Sequence, residues 1–92
     1  MDEQQEIQRR NELNDIRKIA ATQEGKRFFR RLFAEGRIMS TTFTGNSTGF
    51  YLEGHRKLAL VFLGDLVEAC PEMAGEILIQ TKGADDERTR TN

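Results

Sequence analysis

One cysteine, one histidine and one proline occur in the 92 residues, and the longest unbroken apolar run, Leu58 to Leu63, is six residues long. Each scarcity excludes something. A lone cysteine, Cys70, cannot close a disulfide within the chain, so nothing in the sequence calls for an oxidising compartment. One histidine and one cysteine cannot assemble a zinc site in a single chain. The acidic group Asp85-Asp86-Glu87 lacks the ligand spacing and fixed glycine of a calcium loop. The apolar run falls far short of the roughly 20 residues that cross a bilayer, so no membrane span is expected. The opening residues, Met1-Asp2-Glu3-Gln4-Gln5-Glu6, are acidic and polar where a secretory signal starts basic and turns apolar.

Catalytic chemistry finds little to work with. Cys70 is the best nucleophile by residue type, but fifteen residues of one helix put it about 22 Å from His55, and a thiol without a base is better read as a buried structural group. The segment Thr44-Gly45-Asn46-Ser47 matches neither a Walker loop nor a dinucleotide loop and reads as a polar capping turn. The sequence therefore predicts a protein that is not an enzyme and has no cofactor or metal.

What is present is helix-forming sequence with a divided charge. The formal net charge is −1. By segment, four basic and five acidic residues give −1 over 1–21, seven and three give +4 over 22–57, and three and seven give −4 over 58–92. Such a bipolar chain suits electrostatically matched assembly, and its basic segment also suits a polyanion. Only 37% of the residues are hydrophobic and the mean hydropathy is −0.63. A thin core at this length points to apolar surface shared with another subunit, so a homo-oligomer is expected.

The periodicity predicts an all-α fold, a small bundle of three to four helices with a loop between helices 2 and 3 and a mobile C-terminal tail. Residues 2–21 carry helix formers, with Leu13, Ile16 and Ala20 at i, i+3, i+7, and Ile7 and Ile19 nearby on the wheel. Thr22 can cap a second helix whose apolar residues are Phe28, Phe29, Leu32 and Phe33, and Gly36 can end it in the left-handed conformation. Arg37 to Asn46 reads as a connector. A third helix runs from Asn46 or Ser47 to about Cys70, apolar nearly all round at Leu58–Leu63 and so expected to be covered on more than one side. Pro71 suits the first turn of a fourth helix containing Met73, Ile77 and Leu78. From Gly83 onward no large apolar residue occurs. Residues 1–82 are thus read as the helical domain and 83–92 as a flexible tail.

Two surfaces are candidates for function. Lys26, Arg27, Arg30 and Arg31, extended by Arg37, form a basic face for nucleic acid or an acidic partner, against the plainer reading of a solvated, ion-paired helix side. Phe43, Phe50 and Tyr51 are aromatics beyond what a thin core hides, and are the expected anchors of a protein interface.

The stretch Thr22-Gln23-Glu24-Gly25-Lys26-Arg27-Phe28-Phe29-Arg30-Arg31-Leu32-Phe33, then Phe43-Thr44-Gly45-Asn46-Ser47-Thr48, then Tyr51-Leu52-Glu53-Gly54-His55-Arg56-Lys57, resembles a small tailed-bacteriophage family typified by a Bordetella phage protein, a Bbp-like phage domain. The resemblance covers roughly residues 15–70, with His55 standing where the family's motif has arginine. It implies a virion structural or assembly protein, an oligomeric component at the portal and tail or inside the head, located in the virion and in the host cytoplasm during assembly. Portal, tail or internal virion proteins would be its partners. The alternative it leaves is a DNA-associated packaging or regulatory factor using the basic face. It brings no catalytic residues. Gly25 and Gly54 of its motifs lie near expected helix starts, where a missing side chain lets helices approach.

Overall fold

A computed structural model describes the backbone of residues 2–38 and 47–90, and the side chains of 2–38 and 53–83. Four helices follow in order: α1 (Glu3–Ala20), α2 (Gln23–Glu35), α3 (Ser47–Ala69) and α4 (Pro71–Arg90). The fold is a small all-α bundle with no strand among the described residues. α2 and α3 are central, each packing against the other three helices.

Local chemistry sets the joints. Asp2 caps α1 with a reciprocal pair of bonds: its Oδ1 accepts from the Gln5 amide at 2.8 Å, and the Gln5 Oε1 accepts from the Asp2 amide at 3.2 Å. Thr22 caps α2, its Oγ1 accepting from the Gly25 amide at 2.9 Å while its hydroxyl donates to the Ile19 carbonyl at 2.8 Å. One hydroxyl thus serves both the end of α1 and the start of α2. The corner is tight enough that a Cβ at Gly25 would overlap the Ile19 carbonyl oxygen. α3 and α4 are joined by Cys70 alone. Pro71 has no amide hydrogen with which to extend α3 and sits instead in the first turn of α4, where none is needed.

α2 ends differently from the expectation. Gly36 is right-handed, φ −79°, and Arg37 takes the left-handed conformation at φ 53°. The Arg37 amide donates to Ala34 at 3.1 Å and the Ile38 amide to Phe33 at 3.3 Å, which is a Schellman ending with buried Ile38 folded back beside the helix. Gly36 is glycine for space: a Cβ there would strike the Ala59 side chain of α3.

The core gathers Ala20 from α1, Phe29 and Phe33 from α2, Ala59 and Leu66 from α3, Cys70 from the joint, and Ala74 and Ile77 from α4. Thr81 is buried too, its hydroxyl donating to the Ile77 carbonyl one turn back at 2.8 Å. The core is small for the helix area around it. The Cα radius of gyration, 14.9 Å, exceeds the roughly 12 Å of a compact chain this long, and the body measures 48 × 30 × 16 Å.

Two further expectations are corrected. Phe28, read as core, is 61% exposed, because it lies well round the helix from Phe29 and Phe33. Gly54 is inside α3 rather than near its start, and no neighbour approaches the place its Cβ would occupy. The backbone of α4 is helical to Arg90, and the side chains of 84–90 lie outside the described residues. Ala84, Glu87, Arg88 and Arg90 are good helix formers, and extending an existing helix avoids the cost of nucleating one.

Candidate functional site

The central stretch of α3 contradicts its expected burial. Of the run Leu58 to Leu63, only Ala59 is buried. Leu58 and Val61 are each 59% exposed, and Leu60 and Phe62 each 37%. A wheel explains the pattern: Ala59, Leu66 and Cys70 share the face toward α2 and α4, so Val61 lies roughly opposite, on the outside of the bundle. Lys57 and Glu68 share that outer side, and glycines 54 and 64 lie beside it with open space at their Cβ positions. At its edge, Leu58 and Ala59 border a shallow groove of about 130 Å³ whose other wall is Leu32, Glu35 and Gly36.

The outer face carries an unbalanced charge cluster. Arg9 of α1 donates to Asp65 at 2.7 Å and to Glu68 at 2.9 Å, and lies 3.5 Å from Glu12. These bonds pin α1 to α3, and the two carboxylates of α3 hold the Arg9 guanidinium charged by raising its pKa above its ordinary value. Three carboxylates bond this one guanidinium, and Arg10 and Arg17 line the groove that Glu68 borders. Nothing in the sequence pattern singled out Arg9. Asp65 and Glu68 are more than fifty residues away from it, and the local signals were the i, i+3 spacings of Arg9 with Glu12 and of Asp65 with Glu68.

The basic face is on α2 as expected, with its charges partly spent. Arg31 Nε bonds Glu35 at 2.9 Å and Arg27 lies 4.0 Å from Glu24. Lys26 and Arg30 are half-buried, and the Arg30 Nε is buried without a hydrogen-bond partner among the described residues. Arg37 is exposed at the left-handed turn. Arg27, Arg31 and Arg37 thus face water while Arg30 lays its stem along the protein.

Of the expected interface aromatics, Phe50 and Tyr51 lie in the first turns of α3, their side chains outside the described residues, and Phe43 lies outside the described residues altogether. Cys70 is 8% exposed, and burial pushes its thiol up from the ordinary value, against the opposing pull of Arg17 and Lys26. It is a protonated packing group. Among the described residues no three of histidine, cysteine, aspartate and glutamate are placed to hold a metal, and no helix is long and apolar enough to cross a membrane. Comparison with models of known families, with curated proteins and with solved structures finds no match.

Proposed function

We propose that this protein is a non-enzymatic structural or assembly component of a bacteriophage particle, acting through self-association and contact with other virion proteins at the portal and tail or inside the head. The observation that carries the reading is the exposed apolar set Leu58, Val61 and Phe62 on the helix that also supplies Ala59 and Leu66 to the core. A protein this thin that spends its scarce apolar residues on the outside presents them to another protein. The phage setting rests on the sequence resemblance of residues 15–70.

The test is location. Mature particles of the phage or prophage that encodes the chain are purified, and the protein is quantified by mass spectrometry against the portal protein. A fixed ratio to portal supports a virion component, and absence from clean particles overturns it.

The alternative, a DNA-associated packaging or regulatory factor, is favoured by one observation, the exposure of Arg27 and Arg31 along α2 and of Arg37 just beyond it. Against it, Glu24 and Glu35 already neutralise two of the three. A DNA factor loses affinity steeply as salt rises and when those three arginines become alanine. An assembly protein instead loses function on Phe43→Ala or Tyr51→Ala.

A further inference from the structure

We propose that the outer face of α3 is the contact surface for a second copy of this chain, the two α3 helices packing antiparallel about a two-fold axis beside Val61. This deepens the assembly reading above and rests on it for the expectation of self-association; the register comes from charge and exposure along α3.

Antiparallel pairing centred on Val61 sets residue 61 − n opposite residue 61 + n. Lys57 of one copy then faces Asp65 of the other, with Glu68 one turn beyond, and the two-fold repeats the contact. There carboxylates outnumber the cations bonded to them. Arg9 is the one cation bonded to Glu12, Asp65 and Glu68 among the described residues, while Arg10 and Arg17 of α1 border the same groove as Glu68 without a bond to it. Lys57 is exposed, and it cannot reach those groups in its own chain, because eight residues of helix separate it from Asp65 by about 12 Å along the axis. A second copy brings a further cation to that end of the face. Parallel pairing would instead set Lys57 against Lys57 and Asp65 against Asp65, like against like.

Shape agrees with charge. Val61, 59% exposed, meets its own symmetry mate at the axis, the arrangement that an isologous contact requires. Gly54 and Gly64 flank it with nothing within 4 Å of where a Cβ would be, so no side chain at either position holds the second helix away. Leu58 borders the contact and Glu68 closes its end, giving an apolar centre and a charged margin.

The experiment uses the full chain with Cys70→Ala, so that an introduced cysteine is the only thiol. At the usual interaxial separation of about 8–10 Å, facing Cα atoms on two such helices come within disulfide range. Val61→Cys is therefore expected to form a covalent dimer under mild oxidation, well above the background set by Ile79→Cys, a position 75% exposed on α4. In sedimentation of the otherwise unaltered chain, Lys57→Glu weakens dimerisation about tenfold or more at low salt, and the difference from the parent shrinks as salt rises. Circular dichroism on each variant separates loss of fold from loss of contact. A chain that sediments as a monomer at all concentrations overturns the proposal. So does an oligomer in which Val61→Cys crosslinks no better than Ile79→Cys, or in which charge reversal at Lys57 changes nothing. The last two results leave a self-associating virion component intact and move its interface elsewhere, whereas absence from particles bears on the virion reading and leaves the dimer standing.

Discussion

Gly36, which caps α2, lies so close to Ala59 of α3 that position 36 has no room for a methyl group. The Gly36 backbone also stands near the His55 and Leu32 carbonyls, 3.3 and 3.4 Å from where a Cβ would be. The two central helices therefore meet through the smallest possible contact.

Gly36→Ala should destabilise the protein by about 1–3 kcal/mol, the range for overpacking a fitted contact. Gly83→Ala, on an open side of α4, should instead add up to about 1 kcal/mol through helix propensity. Urea unfolding of both variants measures this. Equal midpoints for Gly36→Ala and the parent would mean that α2 and α3 are not in contact here.

Arg37 occupies a backbone conformation that glycine adopts freely and a branched side chain resists. Arg37→Gly should stabilise by about 1 kcal/mol in the same urea assay. The variant also removes one exposed cation, so its DNA affinity measured beside its stability separates a turn residue from an anion contact. A loss of stability would place the left-handed residue elsewhere.

Phe33 and Phe28 differ by five positions and by most of their exposure, 0% against 61%. Phe33→Ala should cost about 3–5 kcal/mol, whereas Phe28→Ala should cost less than about 1 kcal/mol. Thermal or urea denaturation of the pair discriminates cleanly. Similar losses would show that Phe28 is covered in solution, which in a dilute sample means by another chain.

Cys70 links stability to alkaline pH. Burial raises its thiol above the ordinary value, so the folded state holds the proton more tightly than the unfolded chain does. Below about pH 8.5, the unfolded thiol's pKa, both states are protonated and pH has no effect through this group. Above it the unfolded state is favoured by losing the proton, and stability falls until the folded pKa is passed. Cys70→Ala should therefore flatten the decline in urea midpoint between pH 8 and pH 10. An identical decline in both proteins would show that the thiol is solvated in the folded state.

The legible parts of the fold were those written in neighbouring residues. Thr22 before a helix, Pro71 at the start of another, and Phe29 and Phe33 one turn apart each announce themselves within a few positions. The direction of an apolar run is different: Leu58 to Leu63 has an apolar residue at every angle, so only the placement of α1, α2 and α4 decides that Ala59 faces in and Val61 out. The link of Arg9 to Asp65 and Glu68 was illegible for the same reason, since those bonds exist only once α1 and α3 are side by side. Gly36 misled through its residue type. It looked like a conformational glycine and is a spatial one, which passed the left-handed turn to Arg37.

A body 16 Å thick has no point much more than a side chain's length from water. Substitutions that add apolar bulk find few interior vacancies in such a plate and accumulate on its faces. Neutral drift in a molecule of this shape therefore changes what it sticks to before it changes how deeply it is packed, which makes thinness itself a source of new partnerships.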